Sequence, residues 1–447
     1  MGRVTKRAAG ANGATRANRI GPVPQQVIID NLGADADGIA TLPDGTTLYV
    51  PFTLPGETAR VEPGGKRGQG RVGVLEAVER TAPERVAPAC RHFGTCGGCV
   101  LQHGSDGFVA AWKSGLLADA LRRAGFDDLV PGPIQVTPVA SRRRADLAIM
   151  RLGRRVLLGL HVGRGKDIVD IAECPVLAPD IAALIGPLRD CLAGLAVPRR
   201  EGSAVINLLD NGPDVLLRLD GEPGASDRAA LIAFARAHDL PRISVARGPA
   251  PPEPLAIFRT PLVALSGVAV APAPGAFLQA SREGEAAIVS AVLAGLPDKL
   301  PARARVVELF AGCGTLSFAL AGRARVVAFE GDGPAVAALR QAASQAGLAN
   351  RISVTQRDLA RQPLQVVEMK DAAAVVLDPP FAGAPMLMAA IAAARPGRVI
   401  HVGCNPVALA RDLRPLHEAG YRVLAATPID QFRYSARLES VTVLARD

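Results

Sequence analysis

The chain has 447 residues, 49% of them hydrophobic, a net charge of +9 and an isoelectric point near 9.6. That length exceeds one compact core, so two or three domains are expected. No run reaches the roughly 18 uninterrupted apolar residues of a membrane helix, and the N-terminus lacks an apolar secretory core. The expectation is therefore a cytoplasmic protein without membrane contact, acting as a monomer.

The basic balance points to a polyanionic partner, nucleic acid first, although a composition rich in Arg, Ala, Gly and Pro accounts for the charge equally well. In chain order, residues 1–20 form a Gly/Ala-rich basic tail with Arg3, Lys6, Arg7 and Arg16 and no acid, expected to be disordered. Over 21–82, short alternating runs at 27–29, 47–50, 58–61 and 71–75 are separated by Leu42-Pro43-Asp44-Gly45 and Pro63-Gly64-Gly65. This spacing predicts a small antiparallel, OB-like β-barrel, a shape that binds oligonucleotides or other proteins.

The span 83–270 reads as a central α+β domain. It opens with a cysteine cluster at 86–104 and an amphipathic helix over 108–125, and continues as mixed strands and helices broken by Pro-rich turns at 249–252 and 271–275. The span 271–447 reads as a Rossmann-like α/β domain, because strand and helix alternate regularly from 303 onward. Strands are expected at 305–310, 326–330, 352–355, 373–378 and 399–402, and helices at 334–346, 385–394 and 406–419. Two further strand-like runs, 421–427 and 438–444, have no helix between them and predict a terminal antiparallel pair.

The first of these strands runs into Glu308-Leu309-Phe310-Ala311-Gly312-Cys313-Gly314-Thr315. Glycines at a strand's carboxyl end let backbone pass close to a ligand. Glu330 ends the next strand about 20 residues on, where an acid binds nucleoside ribose hydroxyls, and Asp358 follows the third strand. The turn lacks a full Gly-x-Gly-x-x-Gly, which favours S-adenosylmethionine over a dinucleotide. The fourth strand ends Asp378-Pro379-Pro380-Phe381, the pattern of an enzyme that methylates an exocyclic amine such as adenine N6.

The fifth strand ends His401-Val402-Gly403-Cys404-Asn405-Pro406 and opens a helix. A thiol near a helix N-terminus is expected to be held towards thiolate. Carbon 5 of uracil needs such a nucleophile, because thiolate addition to carbon 6 turns the ring into an enolate that can take a methyl group. A base must then remove the carbon 5 proton; an exocyclic amine needs neither step. Glu439, flanked by apolar residues expected to raise its pKa, is the candidate base.

Taken together, Cys90-x5-Cys96-Gly97-Gly98-Cys99-x2-Gln102, Phe277-x-Gln279, Phe310-x-Gly312-x-Gly314, Asp378-Pro379-Pro380, Cys404-Asn405-Pro406 and Glu439 resemble the RNA uridine-5-methyltransferase family, in its bacterial 23S ribosomal RNA branch. The resemblance covers nearly the whole chain. It implies that 21–82 is the family's RNA-binding TRAM barrel. It also implies that Gln279, Phe310, Gly312, Gly314, Thr315, Glu330, Asp358 and Asp378 bind S-adenosylmethionine, with Cys404 as nucleophile and Glu439 as base. The implied partner is RNA, 23S ribosomal RNA first and transfer RNA second. Four positions depart from the family pattern: Phe381 stands for Arg, Ser281 for Asn, Arg437 for His, and Asp430-Gln431-Phe432-Arg433 for Asp-Met-Phe-Pro.

Cysteines at Cys90, Cys96, Cys99 and Cys174 make a three-plus-one set that by spacing suits either zinc or an iron–sulfur cluster; the resemblance implies a [4Fe-4S] cluster. Cys191 and Cys313 read as packing residues. Ser141-Arg142-Arg143-Arg144 reads as a phosphate grip or a solvated charge run. Two other functions stay open at this point: an exocyclic-amine methyltransferase, carried by Phe381, and a non-catalytic RNA-binding assembly factor, carried by the departures at Ser281 and Arg437.

Overall fold

A computed structural model describes residues 24–446; the basic tail expected at 1–20 lies outside the described residues. The chain folds as two compact units, one ending at Pro83 and the other formed by Ala34–Ala36 with the residues from Glu84 onward.

The first unit is a six-stranded sheet in the order Gln25–Ile28, Thr58–Arg67, Gly70–Arg80, Thr47–Val50, Gly38–Thr41, Asn31–Leu32. It closes because one segment serves both edges: 25–28 pairs with 58–61, while 31–32 pairs with 38–39. One pairing, 47–50 with 70–80, is parallel, where the sequence led us to expect antiparallel strands throughout. Alternation supplies the core: Ala59 and Val61 are buried and Arg60 between them is exposed.

The second unit contains two large sheets. The central one has seven strands, in the order Ile168–Asp170, Arg155–His161, Arg144–Leu152, Glu201–Leu209, Gly212–Leu219, Arg242–Arg247, Glu253–Ile257. Helices Pro179–Gly194 and Ala225–Ala237 share its apolar core, through Ile181, Ile185 and Leu188 of the first and Leu231 and Phe234 of the second.

The C-terminal sheet has eight strands: Ile352–Gln356, Arg325–Glu330, Arg305–Leu309, Ala374–Leu377, Arg398–Gly403, Glu439–Ala445, Arg422–Asp430 and Gln135–Val136. The first five are parallel, and Glu439–Ala445 runs antiparallel to both neighbours. Both faces are covered, so the strands read as unbroken apolar runs; all four residues of Ala374–Leu377 are buried. Val306, Val376 and Ile400 point into one core with helices Arg282–Gly295, Thr315–Ala321 and Gly333–Gln345. Val307, Val375 and Val399 point into the other with Asp106–Ala124, Pro385–Ala394 and Pro406–Glu418. Each fully buried Leu or Val contributes about 1.5–3 kcal/mol to this packing.

Helix Asp106–Ala124 and strand Gln135–Val136 lie within the expected central span 83–270, yet both pack with the C-terminal sheet. The sequence shows the helix's apolar stripe but not its partner, which is the stripe Leu409, Leu413 and Leu416 some 290 residues later. Among the described residues, no helix is long and apolar enough to cross a membrane.

Candidate active site

The parallel strands all point their carboxyl ends at one crevice, the position where open α/β sheets bind ligands. After strand Arg305–Leu309 the chain turns through positive φ at Phe310 (64°), Gly312 (56°) and Gly314 (108°). Gly314 is required by space as well as by φ, since a Cβ there would lie 2.5 Å from the Phe318 ring and 2.7 Å from Leu339. Thr315 then opens helix Thr315–Ala321. The Glu330 carboxylate accepts from the backbone N–H of Gly312 at 2.8 Å and of Asp332 at 2.7 Å, so it is locked against the glycine turn. Arg357 N–H donates to Glu330 O, which sets Asp358 on the adjacent loop, exposed and accepting from Ala360 and Arg361 N–H.

Beneath this turn lies Glu308, 1% exposed, an acid inside an apolar strand. The Ser317 hydroxyl donates to it at 2.6 Å. Burial, reinforced by the negative charges of Asp378 and Glu330, pushes Glu308 up to about 8. Burial also raises Asp378 to about 7, against a hydrogen bond from Gln279 Nε2 at 3.0 Å. Three carboxylates crowded at the strand ends destabilise one another, and a cationic ligand relieves them. The sulfonium and amino groups of S-adenosylmethionine fit that requirement.

Cys404 follows strand Arg398–Gly403 and sits half-buried before the N-cap Asn405. Asn405 Oδ1 accepts from Val407 N–H while its Nδ2 donates to Phe381 O, so one side chain starts the helix and ties down the Asp378-Pro379-Pro380-Phe381 loop. Antiparallel register pairs Gly403 with Ser440, which brings Cys404 level with Glu439 on the neighbouring strand. Burial, with the charges of Glu439 and Asp378 behind it, pushes the Cys404 thiol up to about 12, and Arg437 pulls the other way. The expected thiolate is thus corrected: desolvation and two carboxylates outweigh the helix N-terminus, and the resting residue is a thiol. Glu439, 3% exposed, is raised well above its ordinary value by burial first and Asp378 second.

Residues to which the sequence assigned no role at the site hold this centre together. Gln431 Nε2 donates to Gln279 Oε1 at 2.8 Å and to Glu439 Oε2 at 2.9 Å, and its Oε1 accepts from Ala280 N–H. Arg143, 1% exposed, donates to Gln279 O and pairs with Glu285 at 2.6 Å, so it braces the 279 loop. Lys113 pairs with Asp430 at 2.5 Å and donates to Phe432 O, both from within the core. Lys113 had a visible signal, since it lies in the buried helical stripe Val109, Lys113, Leu117, Leu121. Glu308 had one too, as the sole acid in a buried strand. Gln431 had none.

Two of the departures have a local account. Ser281 is the N-cap of Arg282–Gly295, its Oγ accepting from Gly284 N–H at 3.0 Å. The Arg437 guanidinium sits 4.2 Å over the ring of Phe381, which is 46% exposed at the mouth of the crevice. The run 142–144 is not a free phosphate grip: Arg143 is buried, and Arg142 and Arg144 line the cysteine cavity.

That cavity, of about 200 Å³, is lined by Cys90, Cys96, Cys99 and Cys174. Burial pushes Cys96 up and Cys99 up to about 12, and each feels the other thiols of the set. Among the described residues, no group of three or more His, Cys, Asp or Glu is drawn together to hold a metal ion. Four thiols lining one cavity are a donor set that either zinc or an iron–sulfur cluster accepts. Val100 and Leu101 N–H both donate to Tyr434 O, tying the cysteine loop to the segment that carries Gln431 and Arg437. Cys313 is buried in the core and Cys191 packs against the central one, as expected.

The family model described as Conserved hypothetical protein 95 matches residues 292–402. An uncharacterized RNA methyltransferase of Brucella suis biovar 1 is 39% identical over 94% of this chain and 98% of its own. A 23S rRNA (uracil(1939)-C(5))-methyltransferase of Edwardsiella ictaluri is 35% identical over 93% of this chain and 94% of its own. The crystal structure of Pyrococcus abyssi tRNA (uracil-54, C5)-methyltransferase with S-adenosyl-L-homocysteine superposes with a TM-score of 0.69, covering 94% of this chain and 100% of that one at 23% identity, and so shares the fold. With these relatives matched along nearly their whole length, the chain belongs to the family of S-adenosylmethionine-dependent RNA uracil-5-methyltransferases.

Proposed function

We propose that this protein methylates carbon 5 of a uridine in 23S ribosomal RNA, with Cys404 as covalent nucleophile and Glu439 as base. The observation that carries the reading is the register that brings Cys404 level with a buried carboxylate at the open end of the sheet. The ribosomal target is supported by the 35% identity to relatives named for that RNA.

Cys404 Sγ bonds to carbon 6 of the uracil, its proton leaves, and the ring becomes an enolate nucleophilic at carbon 5. S-adenosylmethionine, when bound, supplies an electrophilic methyl group on a cationic sulfur. Gln279, Phe310, Gly312, Gly314, Thr315, Glu330, Asp358 and Asp378 would hold it. Glu439 then takes the carbon 5 proton, the carbon 5–carbon 6 double bond re-forms, and the sulfur leaves with its electron pair. Because Cys404 rests as a thiol, its deprotonation accompanies substrate binding, with Arg437 as the nearby cation that favours the thiolate.

RNA contact is supported by a surface cavity of about 340 Å³ lined by Arg123 of helix Asp106–Ala124 and by Val407, Arg411 and Arg414 of the helix that begins two residues after Cys404. In the barrel, read as a TRAM-like module, basic charge gathers at the hairpin end as Lys66, Arg67 and Arg71, with Arg67 stacked 4.5 Å over Tyr49.

The decisive test is RNA containing 5-fluorouridine, whose fluorine cannot leave as a proton. With S-adenosylmethionine, the protein should be trapped as an adduct that Cys404→Ala cannot form. Methylation of ordinary RNA without any trapped adduct would refute the uridine-5 chemistry, and absence of all methylation would favour the assembly-factor reading.

For the cysteine cavity we propose a [4Fe-4S] cluster on Cys90, Cys96, Cys99 and Cys174. It would serve the architecture rather than electron transfer, since methyl transfer moves no net electrons. Anaerobically purified protein should be brown with about four iron atoms per chain; a colourless zinc protein would overturn the assignment.

A further inference from the structure

The Glu439 carboxylate is held asymmetrically. Its Oε2 accepts from Gln431 Nε2 at 2.9 Å, whereas its Oε1 is buried without a hydrogen-bond partner among the described residues. A buried carboxylate oxygen without a donor is costly in a folded protein and needs a reason. The Gln431 amide is itself fully committed. Its carbonyl accepts from Ala280 N–H at 3.1 Å, and its nitrogen donates to both Gln279 and Glu439. Gln279 passes the chain on, donating to Asp378 Oδ2. Two side-chain amides therefore separate the two carboxylates, each presenting an N–H to one of them. An amide N–H supplies a hydrogen bond but does not exchange as a carboxyl proton does, so Asp378 and Glu439 feel each other's charge without sharing a proton directly.

We infer that Gln431 is a positioning residue for the proton-removal step: it fixes Glu439 Oε2 as a hydrogen-bond acceptor and leaves Oε1 as the single atom that takes the proton from carbon 5. This rests on the proposed role of Glu439 as base. The step balances: Oε1 gains the proton, the carbon–hydrogen electron pair becomes the ring double bond, and the carbon 6–sulfur bond breaks towards sulfur. The groups facing Glu439 are Asp378, which follows strand Ala374–Leu377, Cys404, which follows Arg398–Gly403, the Ser440 backbone, and the Gln279 and Gln431 amides; Arg437 acts on Cys404. Of these, Gln431 supplies the larger of the two hydrogen bonds that favour the ionised carboxylate, the form that acts as base, the smaller coming from the Ser440 backbone.

The test follows single-turnover methylation of ordinary RNA by rapid quench across a pH series, separating covalent protein–RNA adduct from released product. Gln431→Met keeps the volume and removes the donor; Gln431→Glu keeps the length and the acceptor for Ala280 N–H while adding a competing negative charge. Both should shift the rising limb of adduct release to higher pH by about one to two units, with methylated adduct accumulating below it and adduct formation little changed. Release with the wild-type pH dependence in either folded variant, whatever its rate, would overturn the inference. Glu439→Gln tests the underlying reading separately: it should accumulate methylated adduct at every pH, and failure to do so removes Glu439 as base irrespective of Gln431. Thermal unfolding of each variant identifies the folded ones.

Discussion

Lys113→Met is the perturbation whose cost can be worked most directly. Lys113 Nζ lies 2.5 Å from Asp430 Oδ1 and 3.0 Å from Phe432 O, and the two side chains are 0% and 2% exposed. Burial lowers the lysine pKa, and Asp430 is the largest opposing influence. Methionine keeps the hydrophobic stem but strips a buried carboxylate of the cation that pairs with it. Breaking a buried pair from one side costs about 3–5 kcal/mol, because a charge is left uncompensated. For a unit of this size the melting temperature should therefore fall by about 4–7 °C. Adding Asp430→Asn removes the stranded charge, so the double variant should be more stable than Lys113→Met alone. Calorimetry on wild type, both single variants and the double closes the cycle, and the coupling should amount to about 2–3 kcal/mol. Asp430 adjoins Gln431, so Lys113→Met should also slow methylation while leaving binding of S-adenosylmethionine nearly unchanged. A loss below about 1 kcal/mol with coupling near zero would refute the claim that this pair anchors the segment.

Glu308 carries a pH signature. Its folded pKa of about 8 is raised above the ordinary 4.5, so its favourable contribution is complete below 4.5 and is lost as pH rises towards 8. Cofactor-free wild type should lose stability by several kcal/mol across that window, and Glu308→Gln should lose measurably less, the remainder coming from Asp378 and Glu439, which are also raised. Arg437→Ala removes the cation that lowers the Cys404 pKa, so the rising limb of adduct formation in 5-fluorouridine RNA should move to higher pH. An unchanged limb would show that the guanidinium serves only to stack on Phe381. Arg123→Ala with Arg414→Ala should weaken RNA binding and reduce the slope of log affinity against log salt by about 2, without lowering the rate at saturating RNA.

The C-terminal architecture was legible because its signals are local. Apolar strands such as Ala374–Leu377, a Gly-x-Gly turn demanding positive φ, and Pro-initiated helices each act over a few residues. Cys404, Glu439 and Asp378 could likewise be named from the chain, since each stands at or near the end of a recognisable element, whereas Gln279 could be named only by the family resemblance. What the tertiary structure decided is everything that depends on distant segments and on solvent. Helix Asp106–Ala124 joined the C-terminal core because its stripe fits Leu409, Leu413 and Leu416, a match that no local pattern encodes. Arg143, which looks like a surface charge in sequence, became an internal brace because the buried carboxylate of Glu285 pairs with it, and the partner of Lys113 in its apolar stripe, Asp430, lies 317 residues on. Cys404 itself shows the division. Its place beside a helix N-terminus was readable, but its protonation depends on how much water and how many carboxylates surround it. Only folding sets those two quantities, because desolvation and charge act through space rather than along the chain.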